Sequence, residues 1–211
     1  MSIFSKRLRL YLIRHGEVAT GAGTTCHGFT NVGLSLKGQK QSQKVAAYLS
    51  SKPIRAVYSS DLQRAAFAAD LIAAEHNLKP EKLEALREVY MGDWEAKTFA
   101  EVQKISPELV AELFTKPKQF QYPNGESFDQ FYERIDRVFN LILEKHLEGD
   151  IAIVAHGGVN RMLLGRALEL QPENWLKIAQ DYACINIIDW FGNNAIVQKL
   201  NLEIDVDQNL S

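Results

Sequence analysis

Residues Ile151-Ala152-Ile153-Val154-Ala155 are apolar at five consecutive positions, a pattern that suits a strand covered on both faces. The run is rich in β-branched residues and stops at His156-Gly157-Gly158, so it reads as a central parallel strand. Parallel neighbours cannot be joined by tight hairpins, which requires helical crossovers elsewhere in the chain. The rest of the sequence supplies them. Residues 8–13 and 54–58 read as short strands, and 83–89 as a further one. A helix is expected over 35–51 with a late buried stripe at Val45, Ala46 and Leu49. A second, alanine-rich helix runs to about residue 76 from a capping box at Ser60-Asp61-Leu62-Gln63, which puts Arg64 in its first turn. Phe128, Phe131, Ile135, Val138 and Ile142 step by three and four, predicting a helix over 128–145. Another helix is expected over about 159–168, and residues 184–190 and 195–200 form a terminal hairpin through Gly192-Asn193-Asn194. The fold class is α/β.

At 211 residues, with 46% hydrophobic and 24% charged residues, the chain is expected to be one domain, 1–211. An insertion at approximately 96–125 has two short helical patches, Pro107, Pro117 and Pro123, and no strand character. A formal charge of −2 gives no global attraction to nucleic acid or an anionic membrane. No apolar run approaches the ~18 residues of a membrane span. Arg14 and His15 cut the first apolar stretch well short of a signal sequence, so the expected location is cytoplasmic, with neither nucleic acid nor membrane as a partner. Cys26 and Cys184 read as free thiols of a reducing compartment. Cys26-His27 has no second Cys/His cluster at zinc-motif spacing, so no metal site is expected. Gly21-Ala22-Gly23 lacks the third glycine of a dinucleotide fingerprint and follows no strand, which leaves it a loop.

Two strands, far apart in sequence, both end in His-Gly. Ligands in open α/β sheets bind beyond the carboxyl ends of strands, so His15 and His156 are expected at one rim, with Gly16 and Gly157 letting a ligand approach the backbone. Either histidine alone reads equally well as a satisfied turn residue. Arg14 adjoins one of them, and Arg64 sits at a helix N-terminus, where a cation is disfavoured unless an anion lies nearby. Guanidinium forks match phosphate oxygens.

Leu12-Ile13-Arg14-His15-Gly16-Glu17, Ser59-Ser60-Asp61-Leu62-Gln63-Arg64-Ala65, Leu86-Arg87-Glu88 with Gly92-Asp93-Trp94-Glu95, and Val154-Ala155-His156-Gly157-Gly158 together resemble the four motifs of the histidine phosphatase, or phosphoglycerate mutase-like, superfamily. The resemblance implies a three-layer sandwich with a mostly parallel central sheet and a small helical cap. It also implies that His15 is the nucleophile, that Arg14, Arg64, His156 and the Gly157 backbone hold the phosphoryl group, and that Glu88 is the proton donor. Glu17, Glu84 and Glu95 are neighbouring carboxylates that do not match the motif position. The chemistry is reasonable: a neutral imidazole is a competent nucleophile near neutral pH, and a covalent intermediate divides one displacement into two.

Three positions depart from the family pattern. Gly21 stands where many members have an Asn phosphate ligand, leaving Thr24, Thr25 or a backbone amide to replace it. Asn31 and Gly33 replace Asp and Pro in the Gly-x-Thr-Asp-x-Pro-Leu segment, and Ala96 replaces Gly after Trp-Glu. The segment 96–125 lacks an Arg, which favours hydrolysis over mutase chemistry. The total length of the chain, the compact cap and Pro123-Asn124-Gly125-Glu126-Ser127 are similar to the α-ribazole phosphatases, with Trp94 and Tyr122 as candidates to stack on an aromatic base. The implied partner is a small-molecule phosphate ester, with a homodimer left open and no cofactor. The alternatives are a broad sugar or nucleotide phosphatase, a mutase-type transferase and a phosphate-binding scaffold.

Overall fold

The computed structural model describes residues 6–20 and 25–204. Its strands form a single sheet in the order β3-β2-β4-β1-β5-β6. β1 (Leu8–Arg14), β2 (Ile54–Ser60), β3 (Glu81–Leu83) and β4 (Gly149–Ala155) are parallel, while β5 (Ile185–Phe191) and β6 (Asn194–Leu202) add an antiparallel hairpin beside β1. The apolar run in β4 lies between β2 and β1, and each of its residues from Ile151 to Ala155 is buried. Strand alternation divides the core in two. Leu10, Leu12, Ile151 and Ile153 pack with Ile135 and Phe139 of α5 (Phe128–Lys145) and Met162 and Leu163 of α6 (Gly157–Ala167). Tyr11, Ile13, Ala152 and Val154 pack on the opposite face with Val45 and Leu49 of α1 (Leu36–Leu49) and Ala65 and Ile72 of α2 (Gln63–Glu75). Each fully buried Leu or Ile contributes about 1.5–3 kcal/mol, so the two helical layers are held chiefly by this burial.

The structure corrects three local expectations. Ser60 does not cap α2: it belongs to β2, and Leu62 occupies the N-cap position without a side-chain bond. The cap comes from a distant loop instead, because Asn31 Oδ1 accepts from the Gln63 backbone N–H at 2.9 Å while Gln63 Nε2 donates to the Asn31 carbonyl. The strand expected over 83–89 does not form: β3 covers Glu81–Leu83 and meets it at Leu83 alone, and a 3-10 turn follows at Glu84–Leu86. The Arg87 N–H turns back to the Glu84 carbonyl, and its guanidinium is drawn to Asp61 and Glu84, so the edge strand is not prolonged. α6 begins at Gly157 rather than Val159. Glycine disfavours helix, and here the first turn closes by the Asn160 N–H bonding the His156 carbonyl.

Residues between the acid-bearing motif and α5 form α3 (Phe99–Ile105) and α4 (Pro107–Thr115), as the two helical patches anticipate. They enclose a small separate core of Trp94, Val102, Val110 and Phe120.

Candidate active site

The parallel register puts both strand-end histidines side by side. Arg14 of β1 is level with Ala155 of β4, so His15 and His156 leave neighbouring strands at the same height. Their ring centroids are 5.1 Å apart. Ser59 of β2 is level with Val154, which brings the start of α2, and with it Arg64, to the same rim. A cavity of about 420 Å³ opens there, lined by Arg14, His15, Glu88, Gly157, Arg161 and Tyr182 among others. That volume suits a small organic ligand.

The hydrogen bonds assign the tautomers. His15 Nδ1 lies 2.8 Å from the Gly16 carbonyl oxygen, which can only accept, so Nδ1 carries the proton and Nε2 the lone pair. His156 Nδ1 accepts from Arg64 Nε–H at 3.3 Å, so its proton is on Nε2, which is buried without a partner among the described residues. Burial, with Arg64 next, pushes both imidazoles well below the ordinary histidine pKa, and both are neutral near pH 7. Among the described residues the site therefore holds a free imidazole lone pair beside an unsatisfied N–H donor.

The guanidiniums differ in availability. Arg64 is fully buried: Nη1 donates to the Thr30 carbonyl at 2.6 Å, and Nη2 to the His27 and Gly28 carbonyls at 3.0 and 2.7 Å. With Nε on His156, at most one of its five N–H groups remains for a ligand. Burial lowers its pKa to about 10, which still leaves it charged. Arg14 donates to the Gln180 carbonyl and lies over the Tyr182 ring at 4.0 Å, while its Nε is buried without a partner among the described residues. Arg161, one helical turn beyond Gly157, is a cavity cation that the sequence motifs do not reveal. Its Nε is tied to the Ile178 carbonyl at 2.9 Å, and a Cβ built on Gly157 would lie 3.0 Å from its Nη1 and 3.6 Å from Arg14 Nε. The two guanidiniums thus converge on the Gly157 backbone, at the positive end of α6.

Glu88 faces this cluster. It is 8% exposed; Oε2 accepts from the Gly158 N–H at 2.8 Å and Oε1 from the Val89 N–H at 3.0 Å. Its rivals have other work. Glu95 accepts from the Phe29, Thr30 and Met91 N–H groups and from the Thr30 hydroxyl, pinning the loop that wraps Arg64. Glu17 is paired with Lys37 and Ser35, and Glu84 is an exposed partner of Arg87. A carboxyl group, a nucleophilic imidazole and convergent cations are the groups needed to move a phosphoryl group onto nitrogen and protonate the oxygen it leaves.

The model of the histidine phosphatase superfamily, branch 1, matches residues 10–203. The chain belongs to this superfamily. It is thus a phosphoric monoester hydrolase, with the α/β fold of its relatives. It is 38% identical over 165 residues to phosphoglycerate mutase-like protein 4 of Arabidopsis thaliana, covering 75% of this chain and 70% of that one. It is 27% identical to the adenosylcobalamin/α-ribazole phosphatase of Escherichia coli K12, over 92% and 96% of the two chains. The crystal structure of the α-ribazole phosphatase from Shigella flexneri superimposes with a TM-score of 0.83 at 28% identity, covering 94% of this chain and 99% of that one.

The structure brings together His15, His156, Arg14, Arg64, Glu88 and Gly157 of the superfamily motifs. Thr25 lines the cavity and is bridged to Thr98, while Thr24 and Gly21 lie outside the described residues. Trp94 is a correction: at 4% exposed it packs edge-on to Tyr122 and tilted against Phe120 in the small core and offers no face to a ligand. Tyr122 lines a second, apolar cavity rather than the cationic one. Arg161, Tyr182 and His27 are cavity residues that sequence reasoning missed, and only the helical spacing from Gly157 to Arg161 signals any of them. Among the described residues no helix is long and apolar enough to cross a membrane, and no cluster of three or more His, Cys, Asp or Glu could hold a metal ion.

Proposed function

We propose that the chain hydrolyses phosphomonoesters through a phosphohistidine on His15. The observation that carries this reading is the tautomer: the Gly16 carbonyl holds the proton on Nδ1 and leaves the Nε2 lone pair for phosphorus. In the first half-reaction Nε2 bonds to phosphorus as the phosphorus–oxygen bond to the leaving group breaks, and Glu88, carrying a proton, gives it to the departing oxygen. In the second, the Glu88 carboxylate takes a proton from water, the water oxygen bonds to phosphorus, and the nitrogen–phosphorus bond breaks to free phosphate. Arg14, the remaining Arg64 N–H, His156 Nε2–H and the Gly157 backbone stabilise the phosphoryl oxygens.

The substrate we assign is α-ribazole 5′-phosphate, converted to α-ribazole in assembly of the cobalamin nucleotide loop. Its support is near full-length similarity to proteins of that description, together with a cavity rimmed by Phe99, Phe114 and Leu176. Phosphate release from a panel of α-ribazole phosphate, sugar phosphates, 3-phosphoglycerate and nucleotides tests it. A kcat/KM for α-ribazole phosphate at least tenfold above the others is expected; a preference for 3-phosphoglycerate would favour the reading suggested by the plant relative.

A further inference from the structure

A second cavity of about 110 Å³ lies against the cationic one. The two share Arg161 and Leu176, and Gly158 and Val89 of the second adjoin Gly157 and Glu88 of the first. The Glu88 carboxylate, bonded to the Gly158 and Val89 N–H groups, therefore stands in the partition between them. The walls of this chamber are almost wholly apolar, with Leu113 of α4, Phe120, Phe128, Phe131 and Trp175 around it. Ser127 is one of its few polar residues, and its hydroxyl is already engaged as the cap of α5, accepting from the Gln130 N–H.

We propose that this chamber is the leaving-group site and takes the uncharged, apolar end of a phosphomonoester. The inference rests on the phosphatase reading above and narrows its substrate class. The acid must sit beside the leaving oxygen, so whatever that oxygen carries starts at Glu88. On the far side of Glu88 and Arg161 the structure offers an apolar space, and burying uncharged surface there is favourable, whereas a second charge would be desolvated with only Arg161 as partner. Size limits the occupant. An apolar cavity of about 150 Å³ accepts benzene, so this one accepts a ring edge or a short branched alkyl group. A fused bicycle such as a benzimidazole would insert its distal edge and leave the remainder over Arg161.

The test is a homologous series of n-alkyl phosphates from methyl to hexyl, with benzyl phosphate, measured as kcat/KM, and the matching n-alkylphosphonates measured as Kd by calorimetry. Both quantities are expected to improve about three- to fourfold per methylene until the chamber fills, then level off. Leu113→Trp, which fills the chamber from α4, is expected to flatten the series while methyl phosphate turnover stays within twofold. A flat series in the unaltered protein, or equal losses on every ester in Leu113→Trp, would overturn the proposal. The phosphonate series reads the chamber in the unaltered protein without turnover or substitution. Tight, length-dependent phosphonate binding without hydrolysis of any ester would leave the chamber standing and sink the phosphatase reading beneath it.

Discussion

Gly158→Ala separates the acid from the fold. A Cβ at this position would lie 2.3 Å from Glu88 Oε1, 3.1 Å from its Cδ and 3.3 Å from Oε2. Ordinary van der Waals contact begins near 3.4 Å, so the carboxylate must retreat by about 1 Å, which weakens its bond to the Gly158 N–H. The atoms that move are the end of a flexible side chain, and position 158 is in the first turn of α6, where alanine is favoured over glycine by about 0.5–1 kcal/mol. The thermal midpoint should therefore hold or rise slightly. Activity should fall, because a misplacement of 1 Å at a reacting group costs on the order of 10²-fold. The loss should depend on the leaving group: ribose alkoxide is too basic to depart unprotonated, whereas p-nitrophenolate needs no donor. Rapid-quench phosphorylation in a single turnover, with ribose 5-phosphate and p-nitrophenyl phosphate side by side, measures the ratio directly. A drop of about 10²-fold confined to the alkyl substrate is expected, with Glu88→Gln as the reference for complete loss of the donor. An unchanged ratio in a folded Gly158→Ala protein would refute the placement of Glu88 as acid.

Stability should depend on pH through the two buried histidines. Both pKa values are depressed in the folded state, so below about pH 6.5 the unfolded chain binds more protons than the folded one and stability falls as the pH is lowered, by up to about 1.4 kcal/mol per unit per histidine. Urea unfolding at pH 7.5, 6.5 and 5.5 should show this, and His15→Asn should remove about one histidine's share of the slope; an identical slope would be contrary evidence. Trp94→Ala should cost about 3 kcal/mol by emptying the small core, yet leave the ratio of aromatic to small substrates unaltered, as selectivity assays with both would reveal. Activity should survive exhaustive chelation, because guanidiniums stabilise the phosphoryl charge; recovery of a chelated, inactive sample only on adding zinc or magnesium would contradict this.

What the sequence made legible follows from periodicity and from covalent neighbours. The apolar run of β4 and the three-and-four spacing of α5 are strong because each element buries a continuous surface, and both appear at the expected places. Strand ends carry His15 and His156 to the same rim for the same reason: parallel strands share a direction. Long-range bonds were invisible. Nothing local in Ser60-Asp61-Leu62-Gln63 reveals that Asn31 caps α2, or that Glu95 pins residues 29 and 30 so that the Thr30, His27 and Gly28 carbonyls enclose Arg64. Tryptophan serves cores and binding faces alike, so sequence alone leaves Trp94 readable as a ligand contact; the packing of α3 and α4 decides between them. Arg161 is not legible as a site residue because an arginine inside a helix is usually solvated, and only the turn between it and Gly157 brings it to the cavity.

The central claim is that His15 Nε2 accepts the phosphoryl group, and the most direct measurement is acid-free quenching of a single turnover with ³²P-labelled substrate, followed by peptide mapping. The label should be acid-labile, base-stable and located on His15, should appear before free phosphate, and should be absent from His15→Ala, which should retain less than a few per cent of activity. A label on His156, or release of phosphate at full rate with no labelled protein at any time, would contradict the account.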